Sequence, residues 1–413
     1  MTYRLFIWFF WPLLFIYTLR LALRYKSMRY LQQRLGFGYT GLPRQAIWLH
    51  CASVGEVNTV LPLLKILSEK YTQHKFVIST NTCTGATIVE RNRLQNVMHC
   101  FLPLDTVLAV NRFLNVMQPK LAIIVETELW PTLYGACRKK AVPVVIVNGR
   151  LSPRTLQAKG FIRKEYKKSL QVVQHVLARS AQDKDSYIEL GATSKSVEVV
   201  GNLKFAQRVM TEQKPLSNFT DRAFVLAAST HDDEEYQLTN IWKQLQRQDY
   251  LLVIVPRHPE RGPVIMRQLQ NLQLNIALRS RNDAINEKTD VYIADTIGEL
   301  MAFIEKASLV IMGGSLIARG GQNLLEPARL ERPIIVGPHM ENFQAEVNMF
   351  LEHQACVQVK HNDELAVVLN KLLDNPDERN RLARAASNLM TAQSGIAETY
   401  VHKLETCFQD IFS

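Results

Sequence analysis

The stretch GGSLIARGGQNLLEP, residues 313–327, decides how the second half of this chain folds. The apolar run 307–312 precedes it and is typical of a buried strand. Two glycine pairs follow, and a helix through Leu330 can start at Asn323. A strand, a glycine loop and a helix N-terminus form an anion site when bare backbone N–H groups face the ligand. The stretch therefore predicts phosphate binding, and a glycine-rich turn without a ligand is the alternative.

Glu326 lies about one turn into this expected helix. A carboxylate at that position can accept hydrogen bonds from sugar hydroxyls. Phosphate on the amides and a ribose on the carboxylate together describe a nucleotide pocket.

Short apolar runs alternate with amphipathic stretches, such as 56–70 and 129–140, from Ala46 onward. This β–α order predicts parallel sheets with helices on both faces. The candidate strands are 46–50, 75–79, 121–126, 142–147, 176–179 and 197–200, then 224–228, 251–255, 276–278, 291–294, 309–312 and 334–336. A chain of 413 residues favours two domains. We therefore expect an α/β protein with two Rossmann-like domains facing a cleft.

The domain boundaries follow from the same pattern. The polar stretch 206–222 lacks clear periodicity and is expected to be a linker. It separates a domain at 27–205 from a second domain at 223–413, whose end, 363–412, is expected to be helical.

The formal net charge of +11 indicates an anionic partner, namely a nucleic acid, a membrane surface or an acidic substrate. No signature of an RNA- or DNA-binding module appears, so nucleic acid is not expected. The six cysteines are scattered, which favours free thiols, and no histidine or cysteine spacing typical of a metal site occurs. We expect no bound metal.

The segment 5–23 is almost wholly apolar and, as a helix, would reach about 28 Å. Four basic residues follow it, which places the rest of the chain in the cytoplasm: Arg24, Lys26, Arg29 and Arg34. Residues 1–26 are therefore interpreted as an uncleaved single-pass anchor. A cleaved signal peptide and a partly embedded helix lying on the membrane are the alternatives. None of residues 1–26 is expected to line the functional site.

Polar loops follow the candidate strands, where ligands bind in open α/β sheets. They read CASVGEV, ETELWP, GNLKF, STHDDEE, PRHPER and DTIGEL. Each charge has an ordinary explanation, such as Glu56 favouring a helix N-terminus. Together they indicate a functional edge on each sheet.

The chain resembles the Kdo (3-deoxy-manno-octulosonic acid) transferases of Gram-negative bacteria. The matching stretches run in the family's order from residue 50 to residue 343: HCASVGE, ETELWP, GNLKF, ASTHDDEE, PRHPER, DTIGEL, GGSLIARGGQNLLEP and GPHMENF. The family usually shows GGHNPLEP, whereas this chain has Gln322 and Leu324.

The resemblance implies a GT-B fold and an inverting, metal-independent transfer of Kdo from CMP-Kdo onto the lipid A precursor (lipid IVA) in lipopolysaccharide core biosynthesis. It implies an acceptor-binding domain at 27–205 and a CMP-Kdo-binding domain at 223–413. No cofactor beyond the donor is implied. The enzyme would be anchored in the inner membrane, with its domains on the cytoplasmic side against the anionic leaflet.

The resemblance also implies roles for individual residues. Glu56 is the general base, and Glu126 and Lys204 support the transition state. The residues implied to contact CMP are Pro256, Arg257, Ile297, Gly298, Glu299, Asn323, Leu324, Leu325 and Glu326.

Two roles stay open for Glu126, which can orient Lys204 or the acceptor, or can raise the pKa of Glu56 by like-charge repulsion. Two rival functions also stay open. One is another GT-B-type transferase or an epimerase using a nucleotide sugar at the membrane, and the other is a non-catalytic nucleotide- or lipid-binding module.

Overall fold

The computed structural model describes residues 2–207, 216 and 219–413. The chain forms two compact units. Unit 1 comprises Met1–Arg208 and Ser394–Ser413, and unit 2 comprises Val209–Gln393. Of the expected linker 206–222, residues 208–215 and 217–218 lie outside the described residues.

The described part of unit 1 holds a seven-stranded parallel sheet of order β3-β2-β1-β4-β5-β6-β7. Its strands are β1 (Ile47–Cys51), β2 (Phe76–Thr80), β3 (Val97–Phe101), β4 (Leu121–Val125), β5 (Val144–Gly149), β6 (Val173–Ala178) and β7 (Val197–Val199). Its helices are α1 (Thr2–Arg24), α2 (Met28–Arg34), α3 (Val54–Lys70), α4 (Cys83–Asn92), α5 (Val107–Met117), α6 (Pro131–Lys139), α7 (Pro153–Leu156), α8 (Gly160–Leu170) and α9 (Ala181–Leu190). Short 3-10 helices cover Ser194–Ser196 and Leu203–Ala206.

The described part of unit 2 holds a second seven-stranded parallel sheet, of order β10-β11-β9-β8-β12-β13-β14. Its strands are β8 (Phe224–Thr230), β9 (Leu251–Pro256), β10 (Ile276–Leu278), β11 (Val291–Ile293), β12 (Leu309–Met312), β13 (Ile334–Val336) and β14 (Val357–Gln358). Its helices are α10 (Glu234–Leu245), α11 (Gly262–Leu269), α12 (Leu300–Lys306), α13 (Leu325–Arg329), α14 (Gln344–Glu352), α15 (Asn362–Asp374) and α16 (Pro376–Ala392). Its 3-10 helices are Pro259–Arg261, Gln270–Leu272 and Arg279–Arg281.

The predicted α/β class with two parallel sheets is confirmed, and each of the twelve expected strands overlaps an observed one. The strands β3 and β14 were missed. β3 is an edge strand whose first two residues are not buried, and β14 has only two residues, so neither carries a strong apolar run. The helix expected from Asn323 through Leu330 is shorter, covering Leu325–Arg329.

The C-terminal segment corrects the expected boundary at residue 413. The last helices, α17 (Ile396–Cys407) and α18 (Gln409–Phe412), belong to unit 1 and not to unit 2. The Tyr400 hydroxyl donates to the carbonyl oxygens of Leu177 (3.3 Å) and Gly201 (2.8 Å). Lys70 pairs with Glu405 at 2.7 Å. The chain therefore returns to close unit 1, because its apolar positions on α17 are buried there.

Helix α1 includes a stretch, Ile7–Arg24, that is long and apolar enough to cross a membrane. Contacts near both of its ends nevertheless attach it to unit 1. The Tyr3 hydroxyl donates to Asp105 at 2.9 Å, and Ala22 is buried in a cluster with Tyr30 and Phe101. The helix therefore lies along unit 1 and does not project from it.

Two of the basic residues behind α1 bind protein groups. Arg34 donates to Leu102 O (2.7 Å) and to Asn81 Oδ1 (3.0 Å), and Arg29 donates to His99 O. The charge of these residues is also consistent with the predicted membrane topology, and their hydrogen bonds join α2 to the ends of β2 and β3.

Removing the Tyr400 side chain tests the assignment of the C-terminal segment to unit 1. Tyr400 is fully buried, so Tyr400→Ala should destabilise unit 1 by about 3–5 kcal/mol through the cavity it leaves. Thermal unfolding of the full chain, followed by protease protection of peptides from unit 1, measures this. Val367→Ala, at an exposed position of α15, is the matched control and should change little. Unchanged protection of unit 1 in Tyr400→Ala would contradict the assignment.

Candidate active site

Four carboxylates line one cavity of about 580 Å³ in unit 1, and three of them follow strands of the sheet: Glu56, Glu126 and Glu128. Glu56 lies in the first turn of α3, behind β1, and the other two follow β4. The strands β1 and β4 are parallel neighbours, so their carboxyl ends meet at one edge of the sheet. Tertiary structure thus joins two loops that are about seventy residues apart in the sequence.

Glu56 caps its own helix. The Ser53 hydroxyl accepts from the Glu56 N–H (3.3 Å), while the Glu56 carboxylate accepts from the Ala52 N–H (2.6 Å) and from the Ser53 hydroxyl (3.2 Å). This is a variant of the capping box, in which the glutamate three residues after the N-cap Ser53 accepts from the N–H of the preceding Ala52. Glu56 therefore stabilises the N-terminus of α3, as its position in the sequence suggests, and it also lines the cavity.

The surroundings of Glu56 raise the pKa of its carboxyl to about 8. Burial is the largest cause, followed by the charges of Glu128 and then Glu126, while the hydrogen bonds from Ala52 and Ser53 oppose the rise. The like-charge repulsion expected from Glu126 is present, but Glu128 contributes more. A carboxyl in this range exchanges its proton near neutral pH, as a general base must.

Glu128 was not predicted as a site residue, yet it lines the same cavity as Glu56 and has polar partners of its own. The Trp130 indole N–H donates to it at 2.6 Å, and His50 Nε2 lies 3.7 Å away. Burial raises the pKa of Glu128, but the interactions with His50 and Trp130 outweigh burial and lower it overall. His50 is fully buried and is held through Nδ1 by the Ser79 hydroxyl at 3.0 Å. Glu128 therefore stays ionised beside Glu56.

Asn148 links the loop of Glu126 to that of Lys204. Its Nδ2 donates to the Glu126 carboxylate (3.3 Å), and its Oδ1 accepts from the Leu203 N–H (3.0 Å). Lys204 follows at once in the 3-10 helix Leu203–Ala206, which packs on α3. Lys204 is at the same sheet edge but does not line the cavity of the carboxylates. Asn148 was missed because the loop after 142–147 was not recognised as functional, although a polar side chain there follows a buried strand.

Glu126 has a backbone φ of 58°, in the left-handed region. A non-glycine residue there carries strain that neighbouring contacts must offset. The Glu126 N–H bonds to Val147 O (3.0 Å), and its carbonyl accepts from the Tyr187 hydroxyl (2.9 Å). These bonds fix the direction in which the carboxylate leaves the strand.

Tyr3 corrects the expectation that none of residues 1–26 lines the site. It lines the carboxylate cavity, and its hydroxyl bonds to Asp105. Asp105 also accepts from the N–H groups of Thr132 (3.0 Å) and Leu133 (2.8 Å), at the start of α6. The N-terminal helix therefore forms part of the wall of the cavity.

In unit 2 the glycine-rich loop after β12, residues 313–324, was expected to present unpaired backbone N–H groups to an anion. Two of these N–H groups are instead bound by a protein side chain. The buried Glu234 carboxylate accepts from the N–H groups of Gly314 (2.6 Å), Leu316 (3.0 Å) and His231 (2.9 Å). The prediction is wrong for the amides of Gly314 and Leu316, because a protein carboxylate occupies the place assigned to phosphate. Glu234 belongs to the STHDDEE loop. At least this one acidic residue of the loop therefore stabilises the fold of unit 2.

Packing explains why the loop is rich in glycine. A Cβ at Gly313 would lie 2.3 Å from Ser229 O, and one at Gly321 would lie 2.2 Å from Met340 Sδ. Gly321 also has a φ of 75°. Both positions therefore require glycine for the backbone to fit, whether or not a ligand is bound.

Asn323 and Glu326 adjoin in unit 2, with Asn323 Nδ2 donating to Glu326 Oε1 at 3.1 Å. Burial raises the pKa of Glu326, and the hydrogen bond from Asn323 and then the charges of Arg329 and Arg257 partly oppose the rise. Arg257 is exposed and follows β9, whose last residue, Pro256, is buried. Leu324 and Leu325 are fully buried, so of these two residues only the backbone can contact a ligand. The structure thus brings Arg257, Asn323 and Glu326 to one region.

Ile297 and Glu299 line a separate cavity of about 880 Å³ with Arg279, and the exposed Gly298 lies between them. Arg279 holds the Glu299 carboxylate through Nε (2.6 Å) and Nη2 (2.5 Å). The Ile297 side chain is 78% exposed. The Glu299 carboxylate therefore stabilises its own loop through Arg279. Ile297 and Gly298 are the exposed residues of DTIGEL that a ligand can contact.

Gln322 has a partner in His231. Its Nε2 lies 3.1 Å from His231 Nε2, which accepts when its proton is on Nδ1. Burial lowers the pKa of His231, and the nearby charges of Arg319 and Arg257 lower it further. An imidazole thus stands beside residue 322 although the residue itself is glutamine, and cationic side chains supply the positive potential expected of an anion site.

No group of three or more His, Cys, Asp or Glu side chains that could hold a metal ion occurs in the described part of the chain. Metal independence remains a prediction, because such a grouping concerns protein ligands only and substrate phosphates also bind Mg²⁺.

Two units with parallel seven-stranded sheets define a GT-B-type fold. A UDP-N-acetylglucosamine 2-epimerase from Neisseria meningitidis, solved with UDP-GlcNAc, has this fold, with a TM-score of 0.60 at 12% identity over 87% of this chain and 99% of that one.

The family follows from sequence. The family model described as 3-deoxy-D-manno-octulosonic-acid transferase (kdotransferase) matches residues 29–207. A 3-deoxy-D-manno-octulosonic acid transferase from Haemophilus influenzae is 33% identical over 92% of both chains, and one from Rickettsia felis is 32% identical over 80% of this chain and 72% of that one. The chain belongs to the 3-deoxy-D-manno-octulosonic acid (Kdo) transferase family and is a glycosyltransferase.

The raised pKa of Glu56 predicts the pH dependence of transfer. If Glu56 is the base of the transfer, only its ionised carboxylate can accept the proton, so kcat/KM should rise about tenfold per pH unit below pH 8 and level off above it. Glu128→Gln removes a negative charge that raises this pKa, so the midpoint should move to lower pH. Initial rates across the neutral range measure the shift.

Glu69→Gln is the control for this shift. Glu69 is an exposed residue on the same helix, and its substitution should leave the midpoint in place. An unchanged midpoint of the pH–rate profile in Glu128→Gln would contradict the coupling between the carboxyls of Glu56 and Glu128.

Proposed function

We propose that the protein is an inverting transferase that moves Kdo from CMP-Kdo to a hydroxyl of the lipid A precursor, lipid IVA, in lipopolysaccharide core biosynthesis. The observation that carries the proposal is the Glu56 carboxyl, which has its pKa raised to about 8 and lines a cavity. Membership of the Kdo transferase family supplies the sugar that is transferred.

Glu56 is assigned the role of general base. A sugar hydroxyl is a poor nucleophile at neutral pH, and a carboxylate near pKa 8 takes its proton as the new glycosidic bond forms. The cavity is lined by several carboxylates, including Glu128 and Glu165, and by Arg150. This acidic lining suits hydroxyl groups, which donate hydrogen bonds, better than it suits phosphates.

Glu126 and Lys204 are assigned to the transition state. As CMP leaves, the anomeric carbon gains positive charge and the departing phosphate gains negative charge. The link through Asn148 supports a joint role in which Glu126 positions the Lys204 segment.

CMP is assigned to unit 2. Arg257, Asn323 and Glu326 supply a cation, an amide and a carboxylate for the phosphate and the ribose. The backbones of Pro256, Leu324 and Leu325 and the exposed Ile297 and Gly298 complete the set, while Glu299 acts through Arg279. The name of the transferase relatives supports a Kdo donor, and CMP is the nucleotide that the motifs imply.

We assign the enzyme to the cytoplasmic side of the inner membrane. Helix α1 exposes large apolar side chains, including Trp8, Phe9 and Leu13, which suit the anionic leaflet's acyl region. Its contacts with unit 1 through Tyr3 and Ala22 favour a helix embedded along the leaflet over the single-pass anchor that its length suggests.

Substitution of Glu56 tests the base. Glu56→Gln keeps a capping group at the start of α3 but cannot accept a proton, so transfer should fall about 10²–10⁴-fold. CMP affinity should stay unchanged, because the residues assigned to CMP lie in unit 2. Mass spectrometry of lipid IVA incubated with CMP-Kdo counts the transfers, and calorimetry measures CMP binding.

Ser53→Ala is the matched control for Glu56→Gln. It removes the other half of the capping box at a cost of about 1 kcal/mol of stability. Because it also removes a hydrogen bond that lowers the pKa of Glu56, it should leave most of the rate when both enzymes are compared above pH 8. If Glu56→Gln kept more than about a tenth of the wild-type turnover, another group would be the base. Turnover of a UDP-sugar in place of CMP-Kdo would favour the rival GT-B function.

Chelation tests the absence of a metal cofactor. Transfer should persist in excess EDTA, because cationic side chains such as Arg257 and Lys204 are assigned the role that a metal plays elsewhere. Rates with EDTA, and with EDTA plus surplus Mg²⁺, should agree. Loss on chelation with recovery on adding Mg²⁺ or Mn²⁺ would show a metal requirement.

A further inference from the structure

A second cavity in unit 1 has no place in the chemistry described above. Its volume is about 1080 Å³, and it lies between α1 and α5. Aromatic and aliphatic side chains make most of its wall, among them Trp8, Trp11, Phe37 and Leu108. Its size is slightly above the range of about 300–1,000 Å³ that is typical of ligand pockets.

This apolar cavity adjoins the carboxylate cavity. Tyr3 and Pro131 line the carboxylate cavity, while Asp105 and Thr132 line the apolar one. The Tyr3 hydroxyl bonds to Asp105 at 2.9 Å, and Pro131 and Thr132 are consecutive residues. One layer of side chains therefore separates the two cavities, and a single ligand with a polar and an apolar part reaches both by passing around the Tyr3–Asp105 pair.

The outer wall of the apolar cavity is the same helix that we assign to the membrane. Trp8 lines the cavity and is 76% exposed, so the cavity surface continues onto the exposed apolar surface of α1. A hydrocarbon chain can pass along this surface without crossing water, which favours an occupant that comes from the membrane. Arg112, stacked on Phe37 at 4.2 Å, adds a cation at the wall for an anionic lipid head group.

We propose that this cavity binds an acyl chain of the sugar acceptor while the acceptor hydroxyl lies beside Glu56. The inference rests on the proposed function, which makes the acceptor an acylated sugar. The acyl chain would displace water from the surface of Trp8, Trp11 and Leu108. It would thereby hold the sugar at a fixed distance from the carboxylates. Tyr3 and Asp105 form the boundary between the acyl and sugar subsites.

The first test changes the wall without touching the carboxylates. Leu108 is 71% exposed and lines the cavity, so Leu108→Glu places a charge there at little risk to folding. In nonionic detergent, we expect KM for the tetraacylated acceptor to rise at least about tenfold, and kcat/KM for the fully deacylated sugar to stay unchanged. Val367→Glu, at an exposed position of unit 2, is the control and should alter neither. Equal losses on both acceptors, or no loss on either, would overturn the proposal.

The second test identifies the occupant directly. An acceptor with a diazirine in one acyl chain is irradiated with the full-length enzyme, and the labelled peptides are mapped by mass spectrometry. We expect labelling within residues 104–112 and competition by unlabelled acceptor. A diazirine phosphatidylethanolamine that labels the same peptide, and that excess acceptor does not displace, would show that the cavity holds bilayer lipid and would overturn the proposal.

The two tests separate this inference from the proposed function. Cross-linking needs no transfer, so it decides the occupant even if wild-type enzyme moves no Kdo. Transfer to the acceptor with labelling only outside 104–112 would leave the transferase function standing and remove the acyl subsite.

Discussion

Burial of the Glu56 carboxyl beside other carboxylates is the constraint on which the candidate site of unit 1 depends. Glu56, Glu126 and Glu128 repel each other in one cavity, and each has its own polar partners. Trp130 and His50 support Glu128, Asn148 supports Glu126, and the start of α3 supports Glu56. The hydrogen bonds to Glu56 are too weak to offset burial, and its pKa rises to about 8, whereas the partners of Glu128 lower the pKa of that carboxyl. The different pKa values of Glu56 and Glu128 thus arise because their neighbours offset the cost of burying each charge to different extents.

That compensation draws in distant parts of the chain. Asn148 is buried with a left-handed φ of 51°, and its carboxamide connects the β4 loop to the segment of Lys204. Tyr400, near the C-terminus, bonds to Gly201 just before that segment. The N-terminal helix contributes Tyr3 to the wall of the same cavity. Both ends of the chain therefore help to hold a site whose acidic residues lie in the middle of unit 1.

Carboxylates in unit 2 are used differently. The buried Glu234 carboxylate accepts hydrogen bonds from the amides of the glycine loop, and the Glu299 carboxylate accepts hydrogen bonds from Arg279. Both stabilise loops at the carboxyl ends of strands, where a ligand of an α/β sheet is expected. Glu326 differs, because burial raises its pKa and its partners, Asn323 and Arg257, are also candidates for a nucleotide. Position in a polar motif therefore does not by itself distinguish a ligand contact from a structural one.

The two-sheet α/β fold, and the edge of each sheet on which polar loops gather, could be predicted from the amino-acid sequence, because apolar runs and loop composition are local properties of the chain. The same strand pattern predicted that the loops of Glu56, Glu126 and Lys204 lie at one sheet edge. Three features could be found only in the folded molecule: Glu128 contributes most of the charge acting on Glu56, Glu234 binds the amides of the glycine loop, and residues 394–413 close unit 1. These depend on distances between residues far apart in the chain, and the dielectric and charge around a carboxyl are set by whatever folding places next to it.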